Sequence, residues 1–355
     1  MRPFILPVTR AARLVAPAFA LLAGLTNCAA AQRVTGAGAT FPYPLYSKWF
    51  DVYHRKTGVE INYQSIGSGA GIQQVKAGTV DFGASDAPLS NERLKEMPRR
   101  VVHFPTVAGA VALAYNLPNF AGPLKLTPEI VTGIYLGKLT NWNDPRIAAA
   151  NPGASLPAAP ILAVHRSDGS GTTNIFTSYL GAISTPWKEL VGVNTSVSWP
   201  SGVGGKGNDG VAGVVRQTPG AIGYVELAYA KQNQLPIAEV RNRSGQFVSP
   251  SLASTTAAVE ASAPELAKDV RTPIVNAAGA ESYPIAGLTF LLVYQDQKDV
   301  AKGRALADFI AWAIHDGPEL AAALDYARLP AAVVKVDEAT LLTLTANGKP
   351  IPGAR

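Results

Sequence analysis

Apolar and polar positions along this chain fall into a unit that recurs: a short apolar run, a turn of small and hydroxyl residues, then a stretch with helical spacing. Val34 to Phe41 reads as a strand running into the small-residue turn Gly36-Ala37-Gly38-Ala39-Thr40, after which Pro42 and Pro44 suit a helix start. Leu45 to Arg55, with Trp49, Phe50 and Tyr53 on one face, predicts an amphipathic helix closed at Thr57-Gly58. Val59 to Gln64 alternates as a strand and leads into a second turn, Ser65 to Gly71, then a helix over Ile72 to Ala77. Val80 to Pro88 is a third strand with a polar tip, Ser85-Asp86. The pattern returns at Ile161 to Val164, followed by His165-Arg166-Ser167-Asp168-Gly169-Ser170-Gly171-Thr172-Thr173 and a helix-prone stretch from Asn174 to Leu180. Repeated βα units predict an α/β protein with a parallel sheet, in which ligands meet the C-terminal ends of the strands.

Two stretches break the rhythm. Phe104 to Tyr115 and Ala286 to Tyr294 are almost continuously apolar, as buried central strands or interdomain crossovers would be. They bracket a middle region with its own helix (Pro128 to Leu136), strand (Ala221 to Val225) and helical turn (Glu226 to Lys231). The expected organisation is a discontinuous domain I over residues 32–110 and 288–355, with domain II over 111–287. No repeat at solenoid periods interrupts this reading.

The first 31 residues stand apart. Arg2, Arg10 and Arg13, an apolar run from Leu14 to Leu25, and the small residues Ala29, Ala30 and Ala31 spell a secretory signal with cleavage after Ala31. Leu25-Thr26-Asn27-Cys28 offers an alternative, lipidation at Cys28, although Asn27 is an awkward residue before such a cysteine. Either way the chain's one cysteine lies in or beside the signal, so the mature fold is expected to be exported yet free of disulfides. The formal charge of +6 falls to +3 without the three signal arginines, leaving 28 basic against 25 acidic side chains. With no Lys/Arg run, that balance does not suit a nucleic-acid binder but is compatible with attracting a small anion.

The candidate chemistry sits in the turns. A strand, a glycine-rich turn and a helix start bring free backbone N–H groups and the positive end of a helix toward an anion, and Arg166 adds a charged fork suited to phosphate oxygens. Each turn taken singly is equally a turn and nothing more. Three of them, offering Thr40 and Phe41, Ser68, and Ser170 to Thr172 beside Arg166, form a candidate anion nest. Asp86 has two readings, a cap before Pro88 or a hydrogen-bond acceptor that selects an anion still carrying a proton. Asp168, two residues from Arg166, is placed to orient its guanidinium. The four histidines, His54, His103, His165 and His315, show no ligand spacing, so no metal site or cofactor is predicted. No Gly-x-Ser-x-Gly elbow is present and no catalytic residue is nominated. Gly202 to Gly207 matches G-x-G-x-x-G, but Pro200-Ser201 separates it from the weak strand Val197 to Trp199, and it is read as a permissive loop.

Several of these segments, Thr35 to Pro42, Asn62 to Gln64, Gly67-Ser68, Val80 to Pro88, Arg166 to Thr172, Gly204 to Gly210 and Pro219 to Glu226, resemble the periplasmic phosphate-binding proteins of bacterial phosphate ABC importers. The resemblance spans essentially the whole mature chain. It implies a two-domain, hinged periplasmic-binding-protein fold of type II, each domain a sheet flanked by helices, closing over one phosphate in the periplasm. Carried over by motif, it assigns phosphate binding to Thr40, Phe41, Ser68, Asp86, Arg166, Ser170, Gly171 and Thr172. It implies a non-enzymatic monomer that passes inorganic phosphate to membrane permease subunits driven by a cytoplasmic ATPase. The alternatives are a binder of another oxyanion, such as sulfate or molybdate, and an exported phosphatase.

Overall fold

The computed structural model describes residues 33–120 and 122–351, together with Pro3. Apart from Pro3, the signal lies outside the described residues, as do its cleavage point and Cys28.

Eight strands form one large mixed sheet: β1 (Arg33–Gly38), β2 (Glu60–Ser65), β3 (Phe82–Ser85), β4 (Val101–Tyr115), β5 (Leu162–Arg166), β6 (Val203–Gly205), β7 (Ala221–Glu226) and β8 (Ala286–Tyr294). Their order is β2-β1-β3-β8-β4-β7-β5-β6. β1 pairs in parallel with β2 and β3, and β5 in parallel with β6 and β7, which matches the βα rhythm of the sequence. The two apolar stretches are the antiparallel strands at the centre, β8 against β3 and β4. β4 changes partner along its length. Val101 to Ala110 pairs with β8, and Val111 to Tyr115 pairs with β7. Both strands are buried along nearly their whole length, so neither face offers a reason for polar alternation.

The helices follow local chemistry. Helix α1 (Tyr43–Thr57) carries Pro44 in its first turn and ends on Gly58, whose φ of 77° is the left-handed cap that glycine takes without a Cβ penalty. Leu45, Tyr46, Trp49, Phe50 and Tyr53 form its buried face, and Trp49 donates from its indole N–H to the Gly317 carbonyl at 2.9 Å. Helix α2 (Ser68–Ala77) begins directly at the second hydroxyl-rich turn. Helix α3 (Gly171–Ile183) is capped by Ser170, whose Oγ accepts from the Thr173 N–H at 3.0 Å.

The Gly202–Gly210 segment corrects the sequence reading. Val203–Gly205 is strand β6 and Gly207–Gln217 is helix α4, while Val197 to Trp199 is not a strand. Glycine's low helix propensity hides α4 from a local reading; burial of Val211, Ala212 and Val215 along one face overrides it. A further helix, α5 (Leu227–Gln232), follows β7 immediately, and its first turn is capped by Glu226.

Candidate functional site

The parallel strands end in two groups of tips. Thr40 and Phe41 follow β1, Ser68 opens α2 after β2, and Asp86 follows β3. Across from them, Arg166 closes β5, Ser170 to Thr172 open α3, and Asn208 lies in the first turn of α4 after β6. Thr40, Ser68, Asp86, Arg166, Ser170, Thr172 and Asn208 are all buried although every one is polar, and Phe41 and Gly171 are buried beside them. Buried polar groups at this density must satisfy one another or a ligand.

The two groups touch. The Ser68 hydroxyl oxygen accepts from the Gly171 N–H at 3.0 Å and lies 3.4 Å from the Asp86 N–H. The Gly69 N–H donates to the Gly169 carbonyl at 2.8 Å. A Cβ on Gly171 would lie 2.5 Å from Asp86 Oδ2 and 2.6 Å from its backbone nitrogen, so only glycine lets these backbones approach. The eight residues nominated from sequence therefore belong to one buried cluster.

Arg166 is held from three sides. Its Nε donates to Asp168 Oδ1 at 2.8 Å and its Nη2 to Asp168 Oδ2, a two-pronged ion pair. Nη1 donates to Thr172 Oγ1 at 3.3 Å, and the Tyr224 hydroxyl accepts from the Arg166 N–H at 3.0 Å. Burial pushes the Asp168 carboxyl up, but hydrogen bonds and charge from Arg166 prevail and hold it below its ordinary range. Asp168 is thus the anchor of the guanidinium, and its Oδ1 also accepts from the Gly207 N–H at 3.0 Å.

Asp86 has the opposite environment. Burial pushes its carboxyl up to about 7, against the Thr289 hydroxyl, which donates to Oδ1 at 2.8 Å, and the positive charge of Arg166. Once ionised, above that value, the carboxylate has acceptors only, as the partner of a P–OH must.

Three residues of this cluster had no role in the sequence reading. Asn208 donates from Nδ2 to Thr40 Oγ1 at 2.7 Å and to Thr172 Oγ1 at 3.2 Å, tying the two groups of tips together. Thr289 holds Asp86 from within the apolar strand β8. Tyr229 donates to the Thr40 carbonyl at 2.6 Å and so polarises the peptide whose N–H belongs to Phe41. The signal for Asn208 was present: Val203 to Asn208 repeats the strand, glycine turn and helix start seen at Arg166 to Thr172.

Among the described residues no group of three or more His, Cys, Asp or Glu side chains could hold a metal ion, and no helix is long and apolar enough to cross a membrane.

Mixed parallel strands whose tips converge on one buried polar cluster define the class of the PBP superfamily, whose domain model matches residues 26–316. The phosphate-binding protein PstS of Pasteurella multocida is 46% identical over 92% of this chain and 94% of its own length. That of Methanocaldococcus jannaschii is 38% identical over 84% and 83%. The chain belongs to the PstS family. Among solved structures, a periplasmic phosphate-binding protein bound with phosphate shares the fold, with a TM-score of 0.70 at 24% identity over 87% of this chain and 93% of that one.

Proposed function

We propose that this protein is the phosphate receptor of an ABC importer, binding one inorganic phosphate between the two groups of strand tips and delivering it to permease subunits in the membrane. The observation that carries this reading is the pairing of an anchored, buried Arg166 with a buried Asp86 on the opposite side. A site built only of cations and N–H donors would take any small oxyanion. A carboxylate added to it favours the one that still carries a proton, because a fully ionised anion meets an unpaired, repelling acceptor.

In this mechanism the N–H groups of Phe41 and Gly171, the hydroxyls of Thr40, Ser68, Ser170 and Thr172, and the Arg166 fork donate to the phosphate oxygens. Asp86 accepts the remaining P–OH. The Gly171 N–H, which meets Ser68 Oγ in this structure, turns to the phosphate when it binds, and charge-assisted bonds gain strength in such a dry site. The proposed lobes, residues 32–110 with 288–355 and residues 111–287, would each supply half of the donors, with the partner exchange at Ala110 and Val111 in β4 and the start of β8 as the hinge. Support comes from the named relatives and from the bonds that already join the two groups of tips. We place the mature protein in the periplasm as a non-enzymatic monomer.

Equilibrium dialysis with labelled phosphate checks the assignment: one phosphate is retained per chain, and a phosphate ester incubated with the protein is not turned over. Steady release of phosphate from the ester would replace the receptor reading with a hydrolase. Within the site, Asn208→Ala removes both side-chain bonds that bridge Thr40 and Thr172. The phosphate Kd is expected to rise about tenfold, the effect of about 1.4 kcal/mol from lost buried hydrogen bonds. Calorimetric titration of the variant reads this directly, and an unchanged Kd would remove Asn208 from the site.

A further inference from the structure

Behind the cluster lies a carboxyl group that the binding scheme does not use. Glu226 ends β7, is fully buried, and accepts from the Ala228 N–H at 2.9 Å through Oε2. The same oxygen lies 2.9 Å from the Tyr326 hydroxyl, which itself lies 2.6 Å from the Phe41 carbonyl. Oε1 has no partner. On the other side, the Glu226 N–H donates to Asn208 Oδ1 at 2.9 Å.

Counting protons decides the state of this acid. The Phe41 carbonyl can only accept, and Tyr326 has one hydroxyl proton. Two oxygen-to-oxygen hydrogen bonds, Phe41 to Tyr326 and Tyr326 to Glu226, need two protons. If the phenol donates to the carbonyl at the shorter distance, the second proton must come from the carboxyl. Oε2 then donates to the phenol oxygen and still accepts from Ala228 with its remaining lone pair.

We infer that Glu226 is a neutral positioning residue of the phosphate site, donating to Tyr326 and thereby fixing Phe41 while its backbone fixes Asn208. The inference rests on the receptor reading for what Phe41 and Asn208 do. The groups around Glu226 agree with it. Burial pushes the carboxyl well above its ordinary range, against its contacts with Tyr326 and the Ala228 N–H, and the charges of Asp325, itself paired with Lys231 at 2.7 Å, and of Asp86 push it the same way as burial. The phenols of Tyr326 and Tyr229 complete its titratable surroundings, and both are themselves pushed up by burial. Among the described residues no lysine, arginine or histidine is bonded to it.

Infrared spectroscopy of the full protein tests the proton, and phosphate titration tests the consequence. The wild type shows the C=O band of a neutral carboxylic acid at neutral pH, and Glu226→Gln removes it. Asp337→Asn serves as control: Asp337 is another buried acid without partners, remote from the cluster in sequence, so its loss removes a different band and leaves phosphate binding unchanged. An amide cannot both donate to Tyr326 and accept from Ala228 at one atom, so Glu226→Gln raises the phosphate Kd about five- to tenfold, the scale of one lost buried hydrogen bond. Should Glu226→Gln fail to fold, Tyr326→Phe takes away the acceptor and shifts the same band. A carboxylic-acid band untouched by these variants overturns the inference, as does a Glu226→Gln protein that binds phosphate like the wild type. The infrared arm needs no phosphate, so failure of the receptor reading would show separately, as absence of binding by the wild type.

Discussion

Replacing Arg166 with alanine is expected to raise the phosphate dissociation constant by about 30- to 1000-fold, a loss of about 2–4 kcal/mol, as is typical when one partner of a buried, hydrogen-bonded charge pair is truncated. Two effects add in this variant. The phosphate loses its one permanently charged donor, and Asp168 is left as a partly buried carboxylate without its bidentate partner. That residual negative charge repels the dianion it once helped to bind. Arg166→Lys is expected to recover only part of the loss, because an ammonium cannot reproduce the planar fork that meets Asp168 at Nε and Nη2 while Nη1 reaches Thr172. Calorimetric titration of both variants checks the effect; an Arg166→Ala protein with wild-type affinity would remove the guanidinium from the scheme.

The second large effect concerns which anion is accepted. In Asp86→Asn the acceptor becomes an amide able to donate, so sulfate no longer faces a repelling carboxylate. The preference for phosphate over sulfate should narrow by about a hundredfold or more, the scale on which a site built to pair one hydrogen-bonding group rejects an analogue lacking it. The same variant has a stability signature. The carboxyl binds its proton more tightly when folded, moved from 3.8 to about 7 by burial. The stability contributed by the neutral acid is therefore fully present below about pH 4 and is lost as pH rises to about 7, to a total of about 4 kcal/mol. Asparagine has no charge to bury. Without ligand, the melting temperatures of Asp86→Asn and the wild type should be similar near pH 4 and diverge in favour of the variant up to pH 7, then stay parallel. Melting curves that keep a constant separation over that range would show that Asp86 does not titrate as described.

Much of the architecture was legible because local rules and tertiary demands agree. The strand tips at Thr40, Ser68, Asp86 and Arg166 each combine an apolar run with glycine and hydroxyl residues, and the large sheet brings them to one cluster. The central strands β4 and β8 announced themselves as continuous apolar runs because helices and neighbouring strands cover them throughout. What remained hidden depends on partners distant in sequence. Thr289 sits among apolar residues of β8, and its hydroxyl gains meaning only from Asp86, 203 residues earlier. Tyr326 looks like a core aromatic until its oxygen is seen between Phe41 and Glu226. Helix α4 was missed for another reason: its glycines lower helix propensity, and only burial of its valines makes the segment fold as it does.

The central claim is that charge and donors from the Arg166 side bind an oxyanion while Asp86 decides which oxyanion it is. Paired calorimetric titrations of the wild-type protein with phosphate and with sulfate, at about pH 8 where phosphate still carries one proton and sulfate none, test it most directly. The account predicts one tightly bound phosphate per chain and sulfate weaker by at least about a thousandfold. Sulfate binding within about tenfold of phosphate would contradict the role of Asp86 and, with it, the account of selectivity.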